Sequence, residues 1–283
     1  MNKIIKTLVF ISSLAFGQQA FAAACSAEPI TDTSTCHAIP DTYTITLYEM
    51  GMCNDISEQS STVPDIVTSC QTAFLNSAGS TVNVENNVTG VLSGGTTTRP
   101  DDNIYAYGFI KVDAKVIMKH QATFAEAITG SGDPPSTGTT CWTNGDQSPG
   151  GTTTDCGTAE EADPQDMNVY ISGLGCAGGE QGMFYCRYEN DPEGLDNTYA
   201  WLVDANGNAS TNPNYSETAG DVKYLIGIAK FNEPKAVNDA STGMQSQYRV
   251  SRGLNVDFTV VGGVQEVNFN LQEFKVITTI TTD

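Results

Sequence analysis

Histidine, basic residues and catalytic motifs are scarce in this sequence. Only two histidines, His37 and His120, occur among 283 residues, and 13 Lys and Arg stand against 33 Asp and Glu. Neither G-x-S-x-G nor H-E-x-x-H is present, which excludes a nucleophile elbow and a helical zinc-protease site. We expect both histidines to be polar surface residues. A secreted hydrolase with dispersed carboxylates stays open as an alternative, because acidic residues are plentiful.

Long apolar runs are also missing, and the longest one lies at the N-terminus. A basic start, "MNKIIK", precedes the apolar "TLVFISSLAF", and Ala20-Phe21-Ala22 forms an A-x-A cleavage site. The run is too short to span a bilayer, so the pattern predicts a secretory signal peptide over 1–22. We expect a bacterial protein that is extracellular or on the cell surface, with the periplasm as the other destination. A lipoprotein anchored at Cys25 is the weaker alternative, because Ala22 stands where Leu is usual.

The shortage of basic residues restricts the partners. Removal of 1–22 takes away Lys3 and Lys6 and no acidic residue, which changes the formal charge from −20 to −22. Such a surface repels phosphate backbones and anionic lipids, so nucleic acid is not expected as a partner. The acidity fits solubility in a salty exterior, with divalent-cation binding as the alternative reading. No later segment is apolar enough for a transmembrane helix.

Cysteine, by contrast, is plentiful for an exported chain. An even number of cysteines in an oxidising compartment predicts disulfides. Sequential pairing is the economical arrangement, since each bond then closes a short loop. Zinc ligation is disfavoured by the lack of C-x-x-C pairs and of histidine. The predicted pairs are Cys25–Cys36, Cys53–Cys70, Cys141–Cys156 and Cys176–Cys186.

Alternation of apolar and polar residues is the main structural signal. The alternating runs are rich in Val, Ile, Thr, Tyr and Phe and end at Gly, Pro, Asn or Asp, which predicts strands. Only 63–75 and 120–128 offer a helical turn or two, and 72–84 is read as two short strands around a turn. Alternation favours antiparallel sheets. We predict an all-β, disulfide-stapled antiparallel β-sandwich of about eleven strands with Greek-key or meander connections.

Residues 129–165 differ in composition from the rest of the chain. They are rich in Gly, Ser, Thr and Pro, contain no Lys or Arg, and have Trp142 as their one large apolar residue. We predict a long polar loop or linker, stapled by Cys141 and Cys156. It would separate a β-rich first part, 23–128, from a second part, 166–283. The alternative is one sandwich over 23–283 in which 129–165 is an insertion.

The longest alternating run extends from Asn103 to His120 and is predicted to be one strand that bends at Gly108. Its aromatic residues are expected in the core, with a sugar-stacking platform as the alternative. Its three lysines, four residues apart, lie on one strand face. In so acidic a chain, this lysine stripe is a candidate docking surface for an acidic partner. The aromatic residues are Tyr105, Tyr107 and Phe109, and the lysine stripe is Lys111, Lys115 and Lys119.

Calcium is the one cofactor that the sequence suggests. Asp, Asn and Gly cluster in 191–197 and 204–212, and hard oxygen ligands on tight loops suit calcium. Neither stretch matches an EF-hand loop, and a hairpin turn at Asn206-Gly207 is the alternative reading of the second one. The candidate ligands are Glu189, Asp191, Asp196, Asp204 and Asn206.

The C-terminal run "FKVITTITTD" is β-prone and nearly uncharged. A terminal strand can pair with the open sheet edge of a neighbour, so this run and the lysine stripe are candidate assembly elements. We therefore predict an exported, non-catalytic structural or interaction protein of the bacterial surface, such as a filament, pilus or surface-coat subunit. A secreted calcium- or carbohydrate-binding module is the alternative. The assembly residues in the terminal run are Phe274, Val276, Ile277 and Ile280.

Overall fold

Strands form nearly all the regular structure in the computed structural model of this chain. It describes residues 23–283 except 57–62, 65, 85–87, 90–91, 93, 146–147, 150–153, 162, 175–180, 189–197, 273 and 283. The predicted signal peptide, 1–22, lies outside the described residues and stays a prediction.

The described elements follow one another in this order: β1 (Ala23–Ala24), β2 (Cys36–Ala38), β3 (Thr42–Cys53), α1 (Ile66–Ser69), β4 (Cys70–Asn83), β5 (Val88–Thr89), β6 (Thr96–Thr97), β7 (Asn103–Asp113), β8 (Lys115–Lys119), β9 (Gln121–Gly130), β10 (Thr137–Thr143), β11 (Ser148–Pro149), β12 (Thr154–Gly157), β13 (Met167–Tyr170), β14 (Gln181–Gly182), β15 (Tyr185–Tyr188), β16 (Thr198–Val203), β17 (Asn212–Tyr215), β18 (Asp221–Val222), β19 (Tyr224–Val237), β20 (Ser241–Arg249), β21 (Leu254–Val261), β22 (Val264–Leu271) and β23 (Lys275–Thr282).

The strands form a central sheet with smaller sheets packed on it. The central sheet has eleven strands: nine follow the order β11-β13-β8-β3-β7-β19-β16-β15-β14, β4 also pairs with β3, and β6 pairs with β4. A seven-stranded sheet runs β1-β2-β21-β22-β9-β10-β12, a three-stranded sheet runs β23-β20-β5, and β17 pairs with β18. Most pairs are antiparallel; the parallel ones are β1–β2, β11–β13, β17–β18 and β9–β22. The predicted all-β, sandwich-like fold is confirmed, with more strands than the eleven expected because many are very short.

Buried apolar clusters show which sheets face each other. One joins the seven-stranded sheet to β8 and β13 through Phe124, Val256, Phe269, Met118 and Met167. A second joins β3, β4 and β7 to β20 and β23 through Tyr43, Leu47, Phe74, Tyr248 and Val276. A third lies around β7, β15, β16 and β19 and contains Tyr107, Phe109, Tyr199 and Trp201. The central sheet is therefore the layer on which the other elements pack.

The run from Asn103 to His120 forms strands, as alternation predicts, but it breaks at Ala114 rather than bending at Gly108. The Ala114 N–H donates to the Lys223 carbonyl (3.0 Å), and its own carbonyl accepts from the Ile171 N–H (2.8 Å). The chain thus passes from the β19 side to the β13 side at this residue. Gly108 pairs regularly with Ala229; a Cβ there would lie 3.0 Å from the Phe231 ring. Tyr105, Tyr107 and Phe109 are core residues, as expected.

Residues 129–165 were predicted to be a loop or linker, but parts of this segment form strands. β10 and β12 pair with each other, and β10 also pairs with β9. Their buried residues include Thr140, Thr143 and Thr154, which are polar, beside the disulfide-bonded Cys141 and Cys156. Threonine is a good strand former but is also common in loops. A threonine-rich strand therefore shows no alternation of apolar and polar residues. Both larger sheets contain strands from before and after this segment, and where domain boundaries fall stays a prediction.

Two local predictions need correction. Residues 120–128 are not helical, because Gln121–Gly130 is strand β9, and only α1 forms a helical turn in the described part of 63–75. Residues 72–84 are not two strands around a turn but belong to one strand, β4. Its pairing with β3 shifts register between Leu75 and Ser80, and this irregularity contains Gly79 with a φ of 83°. The turn residues are accommodated as an irregularity within the strand.

Three of the four predicted disulfides are confirmed: Cys25–Cys36, Cys53–Cys70 and Cys141–Cys156. Cys186 is also disulfide-bonded. Its predicted partner, Cys176, lies outside the described residues.

Candidate functional site

The outer edge of β23 is the candidate assembly site, and we call it the β23 edge. β23 pairs antiparallel with β20 from Arg249 opposite Lys275 to Ser241 opposite Thr282. Within the described part of the chain it pairs with no other strand, so its second edge carries no strand partner. Such an edge presents backbone N–H and C=O groups that another chain can pair with.

The side chains predicted for assembly hold β23 on its own molecule. The Phe274 ring lies 5.9 Å from the Tyr43 ring, and Val276 packs against the same core cluster. Ile280 packs against the cluster that contains Met52. The side chain of Ile277 lies outside the described atoms. These residues anchor the strand, whereas the exposed Thr279 and the backbone edge remain for a partner.

An apolar groove of about 520 Å³ lies between the three-stranded sheet and strands β3 and β4. Sulfur-containing and aliphatic side chains dominate its lining, and such side chains adapt to varied apolar surfaces. Ile280 contributes to it, so the groove adjoins β23. Its main apolar lining residues are Met50, Met52, Phe74, Leu92, Met244 and Ile280.

A second exposed apolar surface is the tip of the β21–β22 hairpin. Val260, Val261 and Val264 are 72%, 54% and 50% exposed. The turn between them is Gly262-Gly263, with φ of 62° and 86°, a region that suits glycine. Clustered exposed apolar residues on a polar protein mark interaction surfaces.

The lysine stripe is partly occupied by the chain's own residues. Lys111 lies 4.1 Å from the centre of the Tyr224 ring, and burial lowers its pKa against the opposing effect of Glu49. Lys119 Nζ lies 3.7 Å from Asp163 Oδ1 and 3.8 Å from Asp166 Oδ1. Lys115 is half-buried on β8. Its role as a docking surface stays a prediction.

The predicted calcium loop at 204–212 is a turn that Asp204 closes. The buried Asp204 carboxylate accepts the N–H groups of Asn206 and Asn208 at 2.9 Å and of Gly220 at 3.0 Å. Burial alone raises the pKa of Asp204, but these hydrogen bonds outweigh it and the pKa lies below its usual value. Gly207 has a φ of 83°, and its N–H donates to the Asp204 carbonyl (3.0 Å), so a turn with Ala205 and Asn206 at its centre forms here; calcium binding by Asp204 and Asn206 stays a prediction.

The other candidate calcium ligands, Glu189, Asp191 and Asp196, lie outside the described residues. Asn206 is exposed at the turn. Among the residues that the structure does describe, no three His, Cys, Asp or Glu side chains are grouped as metal ligands.

A buried charged cluster between β7 and β19 was missed from the sequence. Asp113 and Lys223 are 6% and 9% exposed, and Lys223 Nζ lies 3.2 Å from Asp113 Oδ2. The Tyr215 hydroxyl donates to Asp113 Oδ1 (2.6 Å) and accepts from Lys223 Nζ (2.9 Å). The Tyr48 hydroxyl donates to Asp113 Oδ2 (3.1 Å), and Glu217 Oε1 lies 2.9 Å from Lys223 Nζ. Two buried charges thereby satisfy each other.

The protonation behaviour of this cluster follows from its contacts. Burial and the Asp113 carboxylate raise the pKa of Tyr48 to about 12 and also raise that of Tyr215. Burial alone lowers the pKa of Lys223, but hydrogen bonds to Tyr215, Glu217 and Asp113 outweigh it, and the pKa is raised. The resting cluster therefore holds an ammonium group and neutral phenols. The one sign of this cluster in the sequence is Lys223 itself, a lysine between Val222 and Tyr224 in a stretch with a strand pattern.

His120 is buried, which corrects its expected place on the surface. Its ring packs edge-on against Phe269 with centroids 4.9 Å apart, and its Nδ1 has no hydrogen-bond partner. Asp41 Oδ2 lies 3.7 Å from Nδ1. Burial lowers the pKa of His120 to about 4, against the opposing effect of Asp41. The imidazole is therefore a neutral core group at neutral pH.

No family model, curated protein or solved structure matches this chain. No helix within the described residues is both long and apolar enough to cross a membrane.

Proposed function

We propose that the protein is an exported structural subunit of the bacterial cell surface that assembles through β-strand edges, as a filament or surface coat does. The observation that carries this proposal is the β23 edge, eight residues that pair with β20 on one side only in the described part of the chain. Signal peptide, disulfides and acidity support export. Binding of calcium or carbohydrate and hydrolysis stay alternatives that no contact among the described residues favours.

The composition of β23 supports pairing rather than protection. Natural edge strands avoid pairing through prolines, charges, bulges or short length. β23 has no proline and one charged residue, Lys275, at its first position, and it is otherwise Val, Ile and Thr. Its eight residues exceed the usual strand length of about five or six. The strand therefore lacks the common devices against edge pairing.

A second copy of the chain is the partner that this edge suits. Because the surface is strongly acidic, pairing through an uncharged strand places little like charge at the contact. If the β23 edges of two copies pair with each other, a two-fold dimer results and growth stops. If the β23 edge pairs with a different edge of the next copy, a filament results. Electron microscopy separates these two outcomes.

Hydrogen exchange of the exported protein tests the proposal. We expect amides of 275–282 that exchange readily in dilute protein to become protected in assembled protein. The β20 amides that donate to β23 are the internal control, since their hydrogen bonds exist before assembly. The proposal fails if the chain stays monomeric at every concentration, or if it assembles while β23 exchanges as fast as before.

A further inference from the structure

Asp113 and Lys223 are held in fixed register by neighbouring strands. Asp113 ends β7 and lies opposite Tyr224 on β19, next to Lys223. The Ala114 N–H donates to the Lys223 carbonyl at 3.0 Å, so backbone bonds fix both residues. Their side chains meet at 3.2 Å with little access to water. This nitrogen and this carboxyl group are therefore held in contact for the life of the folded protein.

The two carboxylate oxygens of Asp113 have different environments. Oδ1 accepts hydrogen bonds from the Tyr215 hydroxyl (2.6 Å) and the Lys115 N–H (2.9 Å). Oδ2 faces Lys223 Nζ and the Tyr48 hydroxyl. Two fixed donors on one oxygen are the arrangement that stabilises an oxyanion during acyl transfer. Oδ2 also has two donors, but one of them is the reacting Lys223 Nζ, so Oδ1 is suited to remain and Oδ2 to accept the protons and leave.

A second carboxylate, Glu217, contacts the same amine from the solvent side. Its Oε1 lies 2.9 Å from Lys223 Nζ, and its side chain is 73% exposed. A carboxylate within hydrogen-bond reach of a nucleophile can carry a proton from it to a leaving group. Asp113, Tyr215 and Glu217 together accept from the three N–H donors of the Lys223 ammonium group.

We propose that Lys223 and Asp113 form an isopeptide bond, an amide between Lys223 Nζ and Asp113 Cγ. The ammonium group gives one proton to the Asp113 carboxylate and a second to Glu217, and Nζ bonds to Cγ. Glu217 passes its proton to Oδ2, which leaves as water, and Oδ1 becomes the amide oxygen. One water molecule is lost, Glu217 is regenerated, and no oxidant, metal or cofactor takes part.

Proximity supplies the driving force for this condensation. Well-oriented groups within one molecule behave as if present at about 10⁵–10⁸ M, which favours a bond that free amines and carboxylates do not form in water. Hydrogen bonds stabilise the ammonium form of Lys223, and only the neutral amine can attack Cγ. The reaction is therefore slow, because Nζ becomes neutral only when Asp113 accepts its proton. The bond would join the last residue of β7 to the residue just before β19.

Intact-mass spectrometry of the exported, reduced and denatured protein tests this inference. We expect a mass lower by one water than that of the sequence from its observed N-terminus. A protease digest should contain a branched peptide that joins Asp113 to Lys223. An unmodified mass for folded protein would overturn the proposal and leave an ion pair only.

Two variants serve as matched controls. Glu217→Gln changes an exposed residue, so the fold should persist while the water loss disappears or slows at least tenfold. Lys223→Arg keeps a cation beside Asp113 but should never lose water. Water loss in Lys223→Arg would place the modification elsewhere and overturn the assignment, and undiminished loss in Glu217→Gln would remove Glu217 from the reaction.

Discussion

The Asp113–Lys223 cluster and the β23 edge show opposite treatments of polar groups. In the cluster, two charges buried between β7 and β19 are matched by hydrogen bonds from the same chain. At the β23 edge, backbone groups along eight residues have no strand partner in the described part of the chain. Buried polar groups are costly unless paired, whereas an exposed edge costs little because water solvates it. Changes in the first region should therefore affect stability, and changes in the second should affect association.

The largest expected effect is that of Lys223→Ala on the free energy of unfolding. Removal of one partner leaves Asp113 buried and uncompensated, which costs about 3–5 kcal/mol relative to wild-type protein that holds the ion pair and has not formed the proposed amide. Chemical denaturation measures it, with Lys230→Ala as a control on an exposed lysine of β19, the strand that follows Lys223, which should cost under about 1 kcal/mol. The folded fraction should associate as the wild type does. Equal costs for the two variants would contradict the importance of the cluster.

The next effect is a loss of stability in acid that depends on His120. Because its folded pKa of about 4 lies below the usual 6.5, the unfolded chain binds the proton more readily. Stability is fully present above pH 6.5 and falls by about 3 kcal/mol as the pH drops to 4. His120→Phe, which can keep the contact with Phe269, should flatten this dependence, while His37→Gln should not. An unchanged slope in His120→Phe would show that other groups dominate.

Sequence patterns predicted the all-β fold and three of the disulfides because alternation and cysteine spacing are local signals. Asn103 to Asp113 and the disulfide Cys141–Cys156 are examples. Strands built from threonine were missed, since Thr140 and Thr154 are buried for their place in the sheet and not for their polarity. A search for apolar residues at every second position cannot detect strands whose buried residues are threonines.

The buried cluster lay beyond prediction for a different reason. Asp113 and Lys223 are separated by 110 positions, and nothing local to either residue identifies the other. The lysine stripe attracted attention because its spacing is regular, yet Lys119 meets only exposed acids at 3.7–3.8 Å. Exposed pairs of this kind contribute little, about 0–1 kcal/mol. Burial, which only the fold reveals, distinguishes Lys223 from the stripe.

The smallest effect on stability, and the most direct test of the proposed function, belongs to Thr279→Lys at the β23 edge. Thr279 is exposed and lies opposite Gln245, also exposed, on the neighbouring strand β20. Both Thr279→Lys and Gln245→Lys should change the free energy of unfolding by less than about 0.5 kcal/mol.

Sedimentation of the two variants over a range of concentrations is the deciding measurement. A lysine on an edge strand opposes pairing at that edge, whereas the same charge on β20 lies one strand away from the β23 edge. We predict that Thr279→Lys assembles at least tenfold less than wild type, while Gln245→Lys assembles normally. Equal assembly of both variants and wild type would contradict assembly through the β23 edge.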